Sequence, residues 1–197
     1  MDDKLAWYVA RSSGIVAWAL LTASVLWGLL LASGLLRRPK RGWYLDLHRF
    51  LGGLTLAFTA VHVVALYLDA FIGFGLVDLL VPLASKWRPV PVAYGVTAFY
   101  LLLAVEGTSL ALPRMPRRLW RWVHLSSFVL YVAATAHMLT AGSDVRILRW
   151  VAAGSIGVAV FLAIGRLLVT IPEAAVPERP VRRTPAREPV SVDQAVD

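Results

Sequence analysis

All four histidines of the 197-residue chain fall into two pairs, His48 with His62, fourteen residues apart, and His124 with His137, thirteen apart. Each pair lies in or at the edge of a strongly apolar stretch. An ionisable ring in lipid is costly and usually faces the interior of a helix bundle, paired with another group or a cofactor. At 1.5 Å per helical residue the spacings correspond to about 21 and about 20 Å, so two histidines of one helix cannot reach one metal. The pattern predicts cross-helix pairs at two depths, His48 level with His124 and His62 level with His137. Imidazole suits haem iron, and an iron held by two histidines has no vacant axial position for oxygen or substrate, so such a haem carries electrons. Two haems b, one near each membrane face, would form a path across a thin insulating layer. The same rings could instead hydrogen-bond between helices or relay protons in a haem-free channel or transporter.

Residues near these histidines extend the candidate site. Gly52, Ser127, Ala133 and Ala134 lie one helical turn from a histidine and would let a porphyrin approach the backbone; ordinary small-residue helix packing is the competing explanation. Haem propionates need cationic or hydrogen-bonding partners, and Arg49 and Arg121 lie close to His48 and His124 in the sequence, with Arg88 or Arg146 available for the other level. Each of these arginines is also explained as an interfacial residue whose stem reaches the headgroups. Glu106, well inside an apolar stretch, is expected to pair with an arginine, because a lone carboxylate in lipid is expensive.

The elements that must position these groups follow from hydropathy. With 58% hydrophobic residues and a mean hydropathy of +0.67, the chain is too apolar for a water-soluble globule of its size. Five stretches, roughly 14–36, 48–68, 91–112, 119–141 and 148–170, approach or exceed the roughly 20 residues a membrane helix needs. The expected fold is an all-α integral membrane protein, five transmembrane helices in one bundle. The first stretch is read as a retained helix, because Asp2 and Asp3 spoil a signal peptide's basic start. The chain has no cysteine, which excludes iron–sulfur clusters and thiolate-ligated haem within it.

The formal net charge of +8 is a topology signal, and no nucleic-acid partner is expected. Basic residues crowd the first interhelical loop (Arg37, Arg38, Lys40, Arg41), the third (Arg114, Arg117, Arg118, Arg121) and the tail (Arg179, Arg182, Arg183, Arg187). The other loops carry only Lys86 and Arg88, and Arg146 and Arg149. By the positive-inside rule the crowded loops and the C-terminus are cytoplasmic and the N-terminus lies outside, in an inner or plasma membrane. Trp7, Tyr8, Trp43, Tyr44, Trp87, Trp120, Trp122 and Trp150 fall near the expected helix ends, where amphipathic rings favour the headgroup layer.

Between the second and third spans, Phe71 to Pro89 holds an apolar core too short to cross, which predicts a short interfacial or re-entrant helix. Residues 1–171 form the expected haem-binding transmembrane domain. From Pro172 onward the chain holds five of its eleven prolines and no apolar period, so 172–197 is expected to be a disordered cytoplasmic tail. No dinucleotide or phosphate-loop pattern occurs, and the 26 residues after the last span are too few for a flavin or nucleotide domain. One geometric difficulty stands: fourteen residues fall about 40° short of four helical turns, but thirteen fall about 140° short. Either the fourth span is kinked or bulged, eased by Ser126, Ser127 and Thr135 bonding back to the chain, or the two haems are gripped from different sides.

The run Leu47-His48-Arg49-Phe50-Leu51-Gly52-Gly53, the pair Val61-His62 and the stretch from Arg121-Trp122-Val123-His124-Leu125 to His137 resemble the ferric reductase-like transmembrane domain family. That family includes ferric reductases, the membrane domain of NADPH oxidases and MsrQ-like haem membrane subunits. The resemblance covers all five spans and implies transmembrane electron transfer through haem. In size and loop pattern the chain is most similar to the MsrQ-like subunits, which pass electrons to a periplasmic methionine sulfoxide reductase. Those lack a counterpart of His48, so its presence here implies two full haem sites and leaves the acceptor open. The family's larger members carry a flavin and NAD(P)H domain, and this chain is expected to draw on a separate flavoprotein or quinol donor. Ferric iron, a flavin or a partner protein would be the outer-face acceptor. A quinol-linked cytochrome b subunit of a larger complex is the remaining haem-based alternative.

Overall fold

A computed structural model describes residues 3–33, 41–142 and 145–169 of the protein. The expected tail at 172–197 and the basic residues Arg37, Arg38 and Lys40 lie outside the described residues. Seven α-helices and one 3-10 turn account for the architecture, with no strand among the described residues: α1 (Asp3–Ser33), α2 (Arg41–Leu68), α3 (Leu76–Leu80), α4 (Pro89–Leu110), α5 (Arg117–Leu125), α6 (Ser127–Ala141) and α7 (Val145–Val169), with the 3-10 turn at Leu112–Arg114. Five spans among the described residues are long and apolar enough to cross a membrane, α5 and α6 together forming the fourth. Helices are the form that satisfies every backbone group internally where no water is available. Side-chain hydroxyls follow the same rule: Thr22 donates to the Trp18 carbonyl (2.9 Å), Thr55 to Leu51 (2.8 Å) and Thr135 to Tyr131 (2.7 Å).

The first helix is longer than its apolar stretch. α1 begins at Asp3, eleven residues before the expected start. Hydropathy marks the part of a helix that lipid can cover; it does not mark where helical hydrogen bonding starts.

α1 is the central post of the bundle. It packs along α2 and also meets α6 and α7, whereas α4 packs mainly on α6. The largest core cluster joins Leu21, Val25 and Leu29 of α1 to Leu102 of α4, Leu130 of α6 and Leu162 of α7. Two polar contacts fix the azimuth of α6 within this apolar packing: Trp18 Nε1 donates to Thr135 Oγ1 (3.0 Å), and the Tyr131 and Ser155 hydroxyls share a hydrogen bond (2.6 Å). α2 leans on α1, touches α4, and does not pack along α5 or α6. The two histidine-bearing spans are thus held apart by their neighbours, and a slot runs between them.

The connection between α2 and α4 carries the expected short helix, α3, of five residues. Phe74 and Leu79 are buried against Val92 and Val96 of α4, while Phe71, Val77 and Leu83 remain exposed. The Tyr100 hydroxyl donates to the Leu80 carbonyl (2.7 Å) and pins the segment to α4.

The fourth span breaks at Ser126. There the backbone N–H donates to the Val123 carbonyl three residues back (3.0 Å), and the Ser126 hydroxyl donates to the same oxygen (2.6 Å). A bond three residues back tightens the turn, and the second donor on that carbonyl holds it so. The interruption falls between His124 and His137, where the thirteen-residue spacing calls for a kink or bulge if both rings are to share a face.

Candidate functional site

Across the slot the four imidazoles meet in the expected combinations. The His48 and His124 ring centres are 6.0 Å apart with planes at 73°; the His62 and His137 centres are 6.3 Å apart at 76°. α2 supplies one ring to each pair, α5 supplies His124, and α6 supplies His137.

Nδ1 is hydrogen-bonded in three of the four rings. His62 Nδ1 donates to the carbonyl of Ala10 on α1 (2.6 Å), and His137 Nδ1 donates to the carbonyl of Pro91 at the start of α4 (2.8 Å). A carbonyl only accepts, so Nδ1 carries the proton in both rings and Nε2 keeps its lone pair. His48 Nδ1 shares a hydrogen bond with the Ser24 hydroxyl (3.3 Å), which can act as donor or acceptor. His124 Nδ1 is buried with no partner among the described residues, and its ring stacks on Trp120 at 4.9 Å and 25°.

Three glycines make this seating possible. A Cβ on Gly14 would stand 2.8 Å from His62 Nδ1, one on Gly95 2.8 Å from the His137 ring, and one on Gly28 3.1 Å from His48 Cε1. Any side chain there would push the imidazole away from its neighbouring helix. Gly14 and Gly28 are fourteen residues apart on α1, the same interval that separates His62 and His48 on α2. Sequence reasoning passed over all three glycines, although that shared interval was a readable signal.

A cavity of about 260 Å³ opens at the His62–His137 level, with Trp18, Thr55, Phe99 and Asp69 in its walls. Ala134 also lines it, whereas Ala133 is buried in the helix–helix core. Gly52, expected to admit a porphyrin, is buried, and a Cβ there would strike the Glu106 carboxylate. Glu106 has no ion pair with an arginine among the described residues. The absent Cβ of Gly52 gives its carboxylate room in place of the expected countercharge.

The arginines sit at the margins. Arg49 is exposed and lies 3.7 Å from Asp46; Arg121 and Arg146 are exposed. Arg88 lies over the Trp87 ring at 5.2 Å and donates to the Thr140 carbonyl (2.9 Å). It thereby ties the end of α6 to the start of α4, one turn beyond the bond from His137 to Pro91.

The family model described as ferric reductase like transmembrane component matches residues 13–135. The chain belongs to this family. No curated protein and no solved structure matched. The matched region includes His48, His62 and His124 and stops two residues before His137. For this member of the ferric reductase-like family, transmembrane electron transfer is the general activity, haem is the cofactor such domains generally bind, and the setting is a multi-pass position in a lipid bilayer. Among the described residues no three His, Cys, Asp or Glu side chains converge. Two imidazoles at each level are too few for a closed zinc site, which takes four protein ligands. They suit a metal whose remaining donors come from its own macrocycle.

Proposed function

We propose that this protein carries electrons across the membrane through two b-type haems, one between His48 and His124 and one between His62 and His137. The observation that supports this most directly is the ring spacing. A metal–imidazole bond of about 2 Å, with about 1 Å from nitrogen to ring centre on each side, separates two axial imidazoles by about 6 Å between centres. The spacings here are 6.0 and 6.3 Å. A haem held by either pair of histidines would supply a one-electron redox centre with no position left for oxygen or substrate.

The chain's own residues do the positioning. The carbonyls of Ala10 and Pro91 hold the Nδ1 protons of His62 and His137, which leaves Nε2 free to bind and raises its basicity, as second-shell acceptors do at other metal-bound histidines. Gly14, Gly28 and Gly95 keep the rings seated against α1 and α4. Trp18, Phe99 and their neighbours give the cavity a mainly apolar lining.

The His48–His124 level lies nearer the loop that carries Arg114, Arg117, Arg118 and Arg121, the side the positive-inside rule makes cytoplasmic. A flavoprotein or quinol would deliver electrons there. Ferric iron, a flavin or a partner oxidoreductase would remove them at the opposite face, near His62 and His137. An inside-negative potential assists this direction by about 2.3 kcal/mol per charge per 100 mV.

A reduced-minus-oxidised absorbance spectrum with haem quantification on the detergent-purified protein tests the proposal. Two haems per chain are expected, falling to one in His48→Ala and to one in His62→Ala. A colourless wild-type protein would overturn it.

A further inference from the structure

Asp69 follows the last residue of α2 and is only 2% exposed. Its Oδ2 accepts one long hydrogen bond from the Ile72 backbone N–H (3.4 Å), and its Oδ1 is buried with no partner among the described residues. The residue lines the cavity that also contains His62 and His137. An ionised carboxylate so placed is expensive unless a positive charge compensates it. The other charged or titratable groups on the cavity walls are Arg11 of α1, His62 of α2 and His137 of α6; none comes from α4. The adjoining loop adds Asp78, whose Oδ2 accepts from Gly75 (2.9 Å), Lys86, which is exposed, and Arg88, whose guanidinium bonds Thr140.

We propose that Asp69 is a redox-linked proton site: it binds one proton when the His62–His137 haem is reduced and releases it when that haem is oxidised. This rests on the haem reading above. With both imidazoles neutral, reduction of a haem held there would lower the charge in the cavity by one unit, whatever the state of its propionates, so a carboxylate in the same cavity would be harder to keep ionised beside the reduced form than beside the oxidised form. Asp69 therefore gains a proton from water at its end of the bundle as one electron arrives from the haem at His48 and His124. It returns the proton to water when that electron leaves for the acceptor. One electron and one proton enter, and one of each departs.

The reduced state holds the extra proton, so the reduction potential of this haem falls as pH rises. At one proton per electron the reduction equilibrium changes tenfold per pH unit, about 59 mV for a one-electron couple. The experiment is a potentiometric titration at several pH values on His48→Ala, which retains only the haem at His62 and His137. Asp69→Asn keeps an oxygen for the Ile72 N–H and should abolish the slope, and Asp69→Glu should restore it. In the wild-type protein, redox-difference infrared spectroscopy should show a protonated-carboxyl C=O band that appears on reduction and shifts in deuterated water. A flat potential in His48→Ala, a slope that survives in Asp69→Asn, or no such infrared band would overturn the assignment while leaving the haem reading intact. A wild-type protein without haem would sink both.

Discussion

The two histidine pairs use the same side chains at nearly the same separation, yet they are supported in different ways. At the His62–His137 level both rings are anchored by backbone carbonyls, at 2.6 and 2.8 Å, and each presses on a glycine. At the His48–His124 level one ring meets a serine hydroxyl at 3.3 Å. The other has an orphan Nδ1, leans on Trp120 and sits two residues before a helix break. The first pair is held by main chain that no side-chain replacement removes; the second is held by side chains and can adjust. In a bilayer this difference is one of depth in the packing. His62 and His137 face the closely packed ends of α1 and α4, and His124 is borne by a short helix whose residues are all at least partly exposed.

The largest effects should come from filling the space on which the rigid pair depends. Gly14→Ala and Gly95→Ala each put a methyl 2.8 Å from ring atoms, and over-packing of this kind costs about 1–3 kcal/mol. Haem retention at the His62–His137 level, measured by competition with a soluble haem acceptor, should fall by roughly tenfold to a hundredfold, as when second-shell partners of metal ligands are lost. Gly28→Ala meets His48 at 3.1 Å, where the ring has only a serine to give up, and should cost under about 1 kcal/mol. Equal losses in all three variants would erase the distinction between a rigid and a compliant level.

A smaller effect is expected at Ser24. Ser24→Ala removes the one side-chain hydrogen bond to His48 among the described residues, worth about 0.5–1.5 kcal/mol. It should shift the midpoint potential of the His48–His124 haem and leave the other unchanged. With two haems bound as proposed, resolved potentiometry checks this; a matching shift at both levels would mean that the pairs are not independently supported.

The contrast also explains what the sequence could reveal. The five spans are legible because lipid demands long apolar runs, and the histidine pairing is legible because ionisable rings in such runs are rare and their intervals match. The acceptors for His62 and His137 are not legible, because they are backbone carbonyls of Ala10 and Pro91, and every residue has a carbonyl. The slot is set by which helices lean on α1, a tertiary choice that hydropathy does not encode. Arg49 follows His48 directly and so points about 100° away from it along the helix, whereas Arg121, three residues before His124, lies within about 60° of its face; both are exposed. Gly52 was expected to open space and does so, for Glu106.

The break at Ser126 is the smallest and most local of these features, and it separates the two levels most directly. On an unbroken helix, thirteen residues leave His124 and His137 about 140° short of a common face. α5 and α6 meet at Ser126, and each histidine has its own neighbours: His124 stacks on Trp120, and His137 meets Pro91 and Gly95. Ser126→Ala removes the hydroxyl bond to the Val123 carbonyl but leaves the backbone N–H bond to the same oxygen. The break should therefore persist in a looser form, at a stability cost of about 0.5–1 kcal/mol. The angle between the His48 and His124 planes, now 73°, is the quantity that should change. The low-spin ferric EPR signal of a bis-imidazole haem reports that angle. In Ser126→Ala the signal from the His48–His124 haem should shift or broaden, and that from His62–His137 should stay as in wild type. A change in the second signal would mean that α5 and α6 move as one body and that the break does not uncouple the levels.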